Sequence, residues 1–235
     1  MDLIQNYSFV DLTHLLHEGI PTWSGGCGFR LEIKLDYDKG LRVQSVKSHA
    51  GVGTHLDAPS HFVAGGCNIG QIPLEQLIVP ACVLDVTKEM EPDFFVRASH
   101  IEYFEKYIGP IPPNSLFIAR TGWDQFWDRG ENYRNADSQG RMHFPGFSLE
   151  AATLLLKRKI AGIGIDTLSP DGSINGPGIH YPVHELILGA GKYIIENLTQ
   201  LEKMPSLGAY VIALPPKVQE ATETAARVVG LVPKR

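Results

Sequence analysis

Three short apolar runs constrain the fold of this chain more than any other feature. They read A-C-V-L-D-V at 81–86, S-L-F-I-A-R at 115–120 and I-A-G-I-G-I at 160–165. Each has the length of a strand and no polar alternation, so each suits a strand buried on both faces. Helical start signals fall between them. Residues 99–107 read as a helix with Ser99 as its N-cap. Residues 148–158 read as another, with Ser148 capping, Glu150 in the first turn, and Leu154 and Leu155 facing inward. Strands alternating with helices argue an α/β fold. Residues 31–37 alternate as L-E-I-K-L-D-Y, and 42–48 alternate more weakly. The two pair as a hairpin across Asp38-Lys39-Gly40, and a hairpin that opens the sheet makes it mixed. Residues 9–16 read as a short strand leading into a loop; further strands are expected at 193–195, 210–214 and 226–232, and helices at 74–77 and 182–188. Residues 128–147 are polar and read as a long loop, serving as a lid or a subunit contact. Residues 169–179 read as loop. No repeat, low-complexity segment or shift in composition divides the chain, so 1–235 is read as one domain.

The charge balance excludes several classes of function. The 235 residues carry a net charge of −5, and Lys203, Lys217, Lys234 and Arg235 are scattered. There is no basic footprint for nucleic acid or anionic lipid. No apolar run approaches the ~18 residues of a membrane span. The N-terminus lacks a basic segment followed by an apolar core, so no secretory signal is expected. Cys27, Cys67 and Cys82 are odd in number and lack C-x-x-C spacing, which suits reduced thiols in a cytoplasm.

The chemistry concentrates in Ser48 to Phe62, S-H-A-G-V-G-T-H-L-D-A-P-S-H-F. Three of the nine histidines fall in 49–61, where even scattering would put about half of one. Imidazole and carboxylate are ligands that zinc, manganese and iron share. His55 and Asp57 are two apart, so in extended chain they point to one side. Pro59 breaks helix between Asp57 and His61, which lets the backbone turn His61 back toward the pair. Gly51 and Gly53 suit a bend or a close backbone approach. Upstream, Trp23 and Phe29 lie on a glycine-rich loop and could wall a small-molecule pocket.

His180-Tyr-Pro-Val-His184 has the spacing of a helical metal pair, but Pro182 fits the first helical position. His180 is therefore expected outside the helix and His184 within its first turn, where His184 suits a ligand or a general base. Glu196 and Asp166 each end an apolar run. A carboxylate there is costly unless paired or metal-bound, and ligands gather at the carboxyl ends of strands in α/β sheets. Both are candidates, Glu196 the stronger.

These motifs resemble the cyclase family of metal-dependent hydrolases, which includes bacterial kynurenine formamidases and isatin hydrolases. The resemblance begins at Asp11-Leu-Thr-His14 and is most specific at Gly53-Thr-His55-Leu-Asp57-Ala-Pro-Ser-His61-Phe62. It continues through Thr121-Gly-Trp123, Gly164-Ile-Asp166-Thr167-Leu-Ser169, the pair His184 and Glu196, and the closing L-P-P-K-V and A-A-R-V-V-G-L. It implies a swivelling β/β/α domain with a mixed central sheet, assembled as a homodimer or homotetramer. It implies metal ligands at His55, Asp57, His61, His184 and Glu196. Kynurenine formamidases carry a further histidine where this chain has Gly51, and His49 is two residues earlier. That departure favours a one-metal site like that of isatin hydrolases over a two-metal one. Their ligand glutamine near the C-terminus would fall at Gln219.

The implied activity is hydrolysis of a small amide or cyclic amide (a lactam) by a divalent metal, Mn2+ or Zn2+. A metal with an open position lowers the pKa of its water to about 7 and polarises a carbonyl. With one metal, His61 or His184 is the expected proton carrier. Kynurenine formamidase with two metals is the alternative activity, and a non-catalytic metal- or ligand-binding protein is the alternative class.

Overall fold

The computed structural model describes residues 3–172 and 180–234. A one-turn helix α1 (Leu3–Asn6) leads into β1 (Tyr7–Asp11), the hairpin β2 (Phe29–Leu35) and β3 (Val43–Ser48), and a three-residue strand β4 (His55–Asp57). The middle of the chain runs α2 (Leu74–Leu77), β5 (Ile78–Asp85), β6 (Phe95–Val96), α3 (Ala98–Tyr107), β7 (Leu116–Arg120), α4 (Gly130–Arg134), β8 (Gly146–Phe147), α5 (Leu149–Lys157), β9 (Gly162–Ile165), α6 (Pro182–Gly189) and β10 (Tyr193–Glu196). It closes with β11 (Ala209–Leu214), β12 (Glu223–Ala225) and β13 (Arg227–Pro233).

Nine strands form one sheet in the order β1-β13-β11-β5-β7-β9-β10-β4-β12. Its centre, β5-β7-β9-β10, is parallel. The three apolar runs supply β5, β7 and β9, and every residue of β9 and β10 is buried. Period two divides their side chains between two cores. Cys82, Leu84, Phe117, Ala119, Ile163 and Ile165 face α3, α5 and α6, where Phe104, Leu155 and Ile187 complete one core. Val83, Leu116, Ile118 and Ile195 face the other way and pack with Val211 and Val228 of the curled antiparallel wing. The sheet is therefore mixed, as expected, but not for the expected reason. The β2–β3 hairpin stands apart as a two-stranded sheet, and every β2 residue after Phe29 is exposed. The antiparallel strands of the main sheet are β1, β11 and β13 on one flank and β4 and β12 on the other.

Local expectations were partly corrected. Ser148 caps α5 by accepting the Ala151 N–H at 3.2 Å, and Leu155 is buried while Leu154 is only half-buried. Ser99 does not cap α3, which begins one residue earlier; the His100 imidazole accepts the Arg97 N–H at 2.9 Å instead. The first strand is short, as read, but starts two residues earlier, running Tyr7–Asp11 before the chain leaves it. The 128–147 segment is not a free loop: it holds α4 and β8, and its Tyr133, Met142 and Phe144 pack with Trp123 and Trp127 in a third core. Of the loop expected at 169–179, residues 173–179 lie outside the described residues. Among the described residues no helix is long and apolar enough to cross a membrane.

Candidate metal centre

Sheet register assembles the centre. In β4, His55 and Asp57 are two apart and share a face. Antiparallel pairing sets Glu196 of β10 opposite His55 and Glu223 of β12 opposite Asp57. Directly opposed residues point to the same face, so three adjacent strands bring four side chains to one spot. Two turns add histidines. A 3-10 turn over Pro59–His61 brings His61 back, and Pro182 starts α6 so that His184 lies in its first turn. His180 lies outside the helix and pairs with Glu185 at 3.0 Å, away from the centre.

His55, Asp57, His184 and Glu196 are each at least 95% buried. His55 Nε2 lies 3.5 Å from Asp57 Oδ1 and 3.2 Å from Glu196 Oε2. His184 Nε2 lies 3.5 Å from Asp57 Oδ2 and 3.2 Å from Glu196 Oε1. Charge-assisted hydrogen bonds are shorter, about 2.7–2.9 Å. Ligand bonds of ~2.0–2.1 Å, in contrast, hold neighbouring ligand atoms roughly 3.0–3.5 Å apart. The buried oxygens Asp57 Oδ1 and Glu196 Oε1 have no hydrogen-bond partner, and orphaned carboxylate oxygens are costly to bury. Burial opposes protonation of His55, yet Asp57 and Glu196 outweigh it and hold the imidazole at about 10. His184 is likewise raised, with Asp171, Asp57 and Glu196 prevailing over burial. The carboxylates thus demand positive charge at their centre. The donor set of two imidazoles and two carboxylates fits a divalent cation.

A surrounding layer fixes the ring orientations. His55 Nδ1 donates to the Gly53 carbonyl at 2.8 Å, which turns Nε2 inward. Gly53 holds φ +63, and a Cβ there would meet Leu16 at 2.4 Å. Asn197 Nδ2 donates to the same carbonyl at 2.8 Å, and the Thr54 hydroxyl donates to Asn197 O at 2.5 Å. His184 Nδ1 donates to Asp171 Oδ2 at 2.5 Å. Asp171 also accepts the Val183 N–H at 2.7 Å, so one carboxylate both starts α6 and aims His184. Asp171→Asn is expected to weaken metal affinity about 10- to 100-fold, as loss of such supporting carboxylates does. Titration of chelated protein with Mn2+ measures this, and unchanged affinity would show that Asp171 serves the helix alone.

The centre lies in a cavity of about 570 Å³. Trp23 lines it as expected, together with Phe62 and Tyr181. Phe62 stacks on His184 with centroids 4.9 Å apart, and Tyr181 lies 5.6 Å from Phe62 and 5.9 Å from Trp23. Phe29 is not part of this wall; it packs against the third core and lines a neighbouring depression. His61 sits at the mouth, its Nε2 3.7 Å from Glu223 Oε2. His49 lines the cavity but is exposed. Gln219 is exposed and does not line the cavity; Glu223, four residues on, does. Asp166 is buried but turned to Thr121 and Gly122, outside the cavity. Sequence reasoning missed Asp171, Glu223, Phe62 and Tyr181. Asp171 lies in an S-P-D-G turn, where an aspartate is ordinary, and Glu223 carries no mark that sets it above Glu220.

The family model "Putative cyclase" matches residues 10–172. The chain belongs to the cyclase family. It is 33% identical over 189 residues to the isatin hydrolase of Roseibium aggregatum, covering 77% of this chain and 72% of that protein. It is 25% identical over 221 residues to the kynurenine formamidase of Polaromonas naphthalenivorans, covering 93% and 88%. The crystal structure of an isatin hydrolase bound to the product analogue thioisatinate superposes with a TM-score of 0.90 at 28% identity, over 99% of this chain and 95% of that one. The swivelling β/β/α fold of the cyclase family is therefore the fold seen here. The cyclase-family chain is a hydrolase acting on amide carbon–nitrogen bonds.

Proposed function

We propose that this protein hydrolyses a small cyclic amide carried on an aromatic ring, with a divalent metal, Mn2+ or Zn2+, held by His55, Asp57, His184 and Glu196. The observation that carries the reading is the buried cage itself, whose orphaned oxygens Asp57 Oδ1 and Glu196 Oε1 open under an aromatic wall. When bound, the cation supplies Lewis acidity, which acidifies water and polarises an amide carbonyl. The chain's own groups do the rest. Trp23, Phe62 and Tyr181 sandwich a flat ring and exclude water beside the reacting bond. His184 is buried with Nε2 turned to the carboxylates, so it suits a ligand. His61 stands at the mouth, where an imidazole can take a proton and return it to the leaving nitrogen. The larger identity to an isatin hydrolase than to a kynurenine formamidase supports a lactam such as isatin as the first substrate to try.

Chelation is expected to abolish hydrolysis, and added Mn2+ or Zn2+ to restore it. The assay is a panel of isatin, a linear aryl formamide and an aliphatic lactam. Turnover that survives chelation would overturn the metal reading. Retained metal with no hydrolysis across the panel would favour a binding protein on the same fold.

A further inference from the structure

We propose that Arg134, which lies outside the cavity, is a positioning residue: it fixes the turn that carries Trp23 and so holds the aromatic wall in place for a flat ring. The proposal rests on the hydrolase reading, in which that wall seats the substrate.

Trp23 stands on a tight turn. The Gly25 N–H donates to the Thr22 carbonyl at 3.1 Å, and the Thr22 hydroxyl donates to Gly26 O at 2.6 Å. Thr22, Trp23 and Ser24 all line the cavity, so this turn forms part of its rim. The indole is 37% exposed. Its ring centroid lies 6.4 Å from Phe144, edge to face, and 5.9 Å from Tyr181. A ring so exposed waits in one place only if its backbone is held, and ordering it at the moment of binding would cost affinity.

Arg134 supplies that hold from the last position of α4. Its Nη2 donates to Trp23 O at 3.1 Å. The guanidinium also lies against Gly25, where a Cβ would come 2.7 Å from Nη1 and 3.1 Å from Cζ. Gly25 has φ +74, a conformation that favours glycine, and the guanidinium takes the space that a side chain there would need. The arginine projects from backbone fixed on both sides. Tyr133 is fully buried, its hydroxyl 2.9 Å from both Asp166 O and Asn197 Oδ1. The Asn135 N–H donates to Glu131 O at 2.7 Å, and its side-chain amide donates to His143 O at 2.8 Å. Arg134 Nε is buried without a hydrogen-bond partner, a cost that a solvated surface arginine does not carry. The 128–147 segment thus acts on the rim twice, through Phe144 at the indole and through Arg134 at its backbone.

The test compares wild type with Arg134→Ala and Arg134→Lys, all loaded with the same metal. Arg134→Ala is expected to raise KM for isatin roughly 3- to 10-fold, the cost of ordering one side chain and its turn on binding. Its kcat is expected to stay within about twofold, because no group at the reacting bond has changed. Arg134→Lys, which can still reach the Trp23 carbonyl but cannot cover Gly25, is expected to fall between them. Trp23→Ala keeps that carbonyl and removes the ring. Arg134→Ala is expected to add nothing further to KM in the Trp23→Ala background, since the two act as one unit. Hydrogen exchange of the peptide spanning 20–28, without substrate, reads the turn directly and is expected to quicken in Arg134→Ala. Metal content and thermal melting show that each variant keeps its centre and its fold. Unchanged KM, or a rise that is undiminished in the Trp23→Ala background, would overturn the proposal and leave the hydrolase reading standing. No turnover by wild type would sink isatin as the substrate. Exchange would then decide alone, faster exchange supporting the tie and unchanged exchange overturning it.

Discussion

Asp57→Asn is expected to lower kcat/KM by roughly 10³-fold or more, since Lewis-acid stabilisation contributes several kcal/mol to such transition states. Asp57 is the residue on which the centre turns. It is 1% exposed, sits between the two imidazoles, and offers an oxygen to each. Burial alone would raise its pKa, but His55, His184 and His61 hold it below the ordinary carboxylate range. The side chain is therefore a full anion in a dry site, where its charge acts with little screening. An asparagine keeps the size and one carbonyl oxygen but loses that charge, and its amide N–H would face an imidazole or a cation. Metal content is expected to fall with activity, so both are measured on the same preparation. A variant that keeps its metal and comes within tenfold of wild-type kcat/KM would move the essential charge to Glu196.

The sequence shows the inner half of this centre and hides the outer half, for a physical reason. His55 and Asp57 are legible because a spacing of two in extended chain fixes their shared face without knowledge of any partner. Glu196 is legible because a carboxylate closing an apolar run must be compensated. Glu223 and Asp171 depend instead on which residues lie opposite or adjacent in three dimensions. In K-V-Q-E-A-T-E-T three carboxylate or carboxamide side chains compete, and the pairing of β12 with β4 is what brings Glu223 to the cavity. Gly51 shows the same limit. Read along the chain it is only a missing side chain, whereas in the structure it lies against the Glu223 carboxylate. The fold divides in the same way. The apolar runs of β5, β7 and β9 declare themselves by composition. The hairpin declares itself by alternation, but its separation from the main sheet does not, because exposed strands alternate much as half-buried ones do. The 128–147 segment looks like a loop by its polar surface, yet Tyr133, Met142 and Phe144 supply enough apolar area to bury it.

Asp166→Ala is expected to destabilise the fold by about 3–9 kcal/mol, since each of its three donors left unsatisfied costs about 1–3 kcal/mol. Asp166 follows β9 and is fully buried. It accepts the Thr121 N–H at 2.9 Å, the Gly122 N–H at 2.7 Å and the Thr121 hydroxyl at 2.6 Å. These bonds tie the end of β9 to the turn after β7. The effect reaches the centre, because the Tyr133 hydroxyl lies 2.9 Å from both Asp166 O and Asn197 Oδ1, and Asn197 holds the Gly53 carbonyl that orients His55. Asp166→Asn separates the charge from the hydrogen bonds. Burial pushes the carboxyl up to about 7, against the pull of Thr121 and Gly122. Protonated, it can keep its oxygens toward the two amides and turn its O–H to the Thr121 hydroxyl, and an asparagine amide can copy that arrangement. The folded pKa lies above the unfolded value of about 3.9, so the folded state holds this proton more tightly. That stabilisation is full below about pH 4 and is lost as pH rises through about 7. The asparagine variant lacks this component. Wild type is therefore expected to lose stability relative to Asp166→Asn across that range, measured by urea denaturation of chelated protein from pH 4 to 8. Parallel profiles for the two proteins would mean that Asp166 is buried as the anion, held by its three donors at every pH in that range.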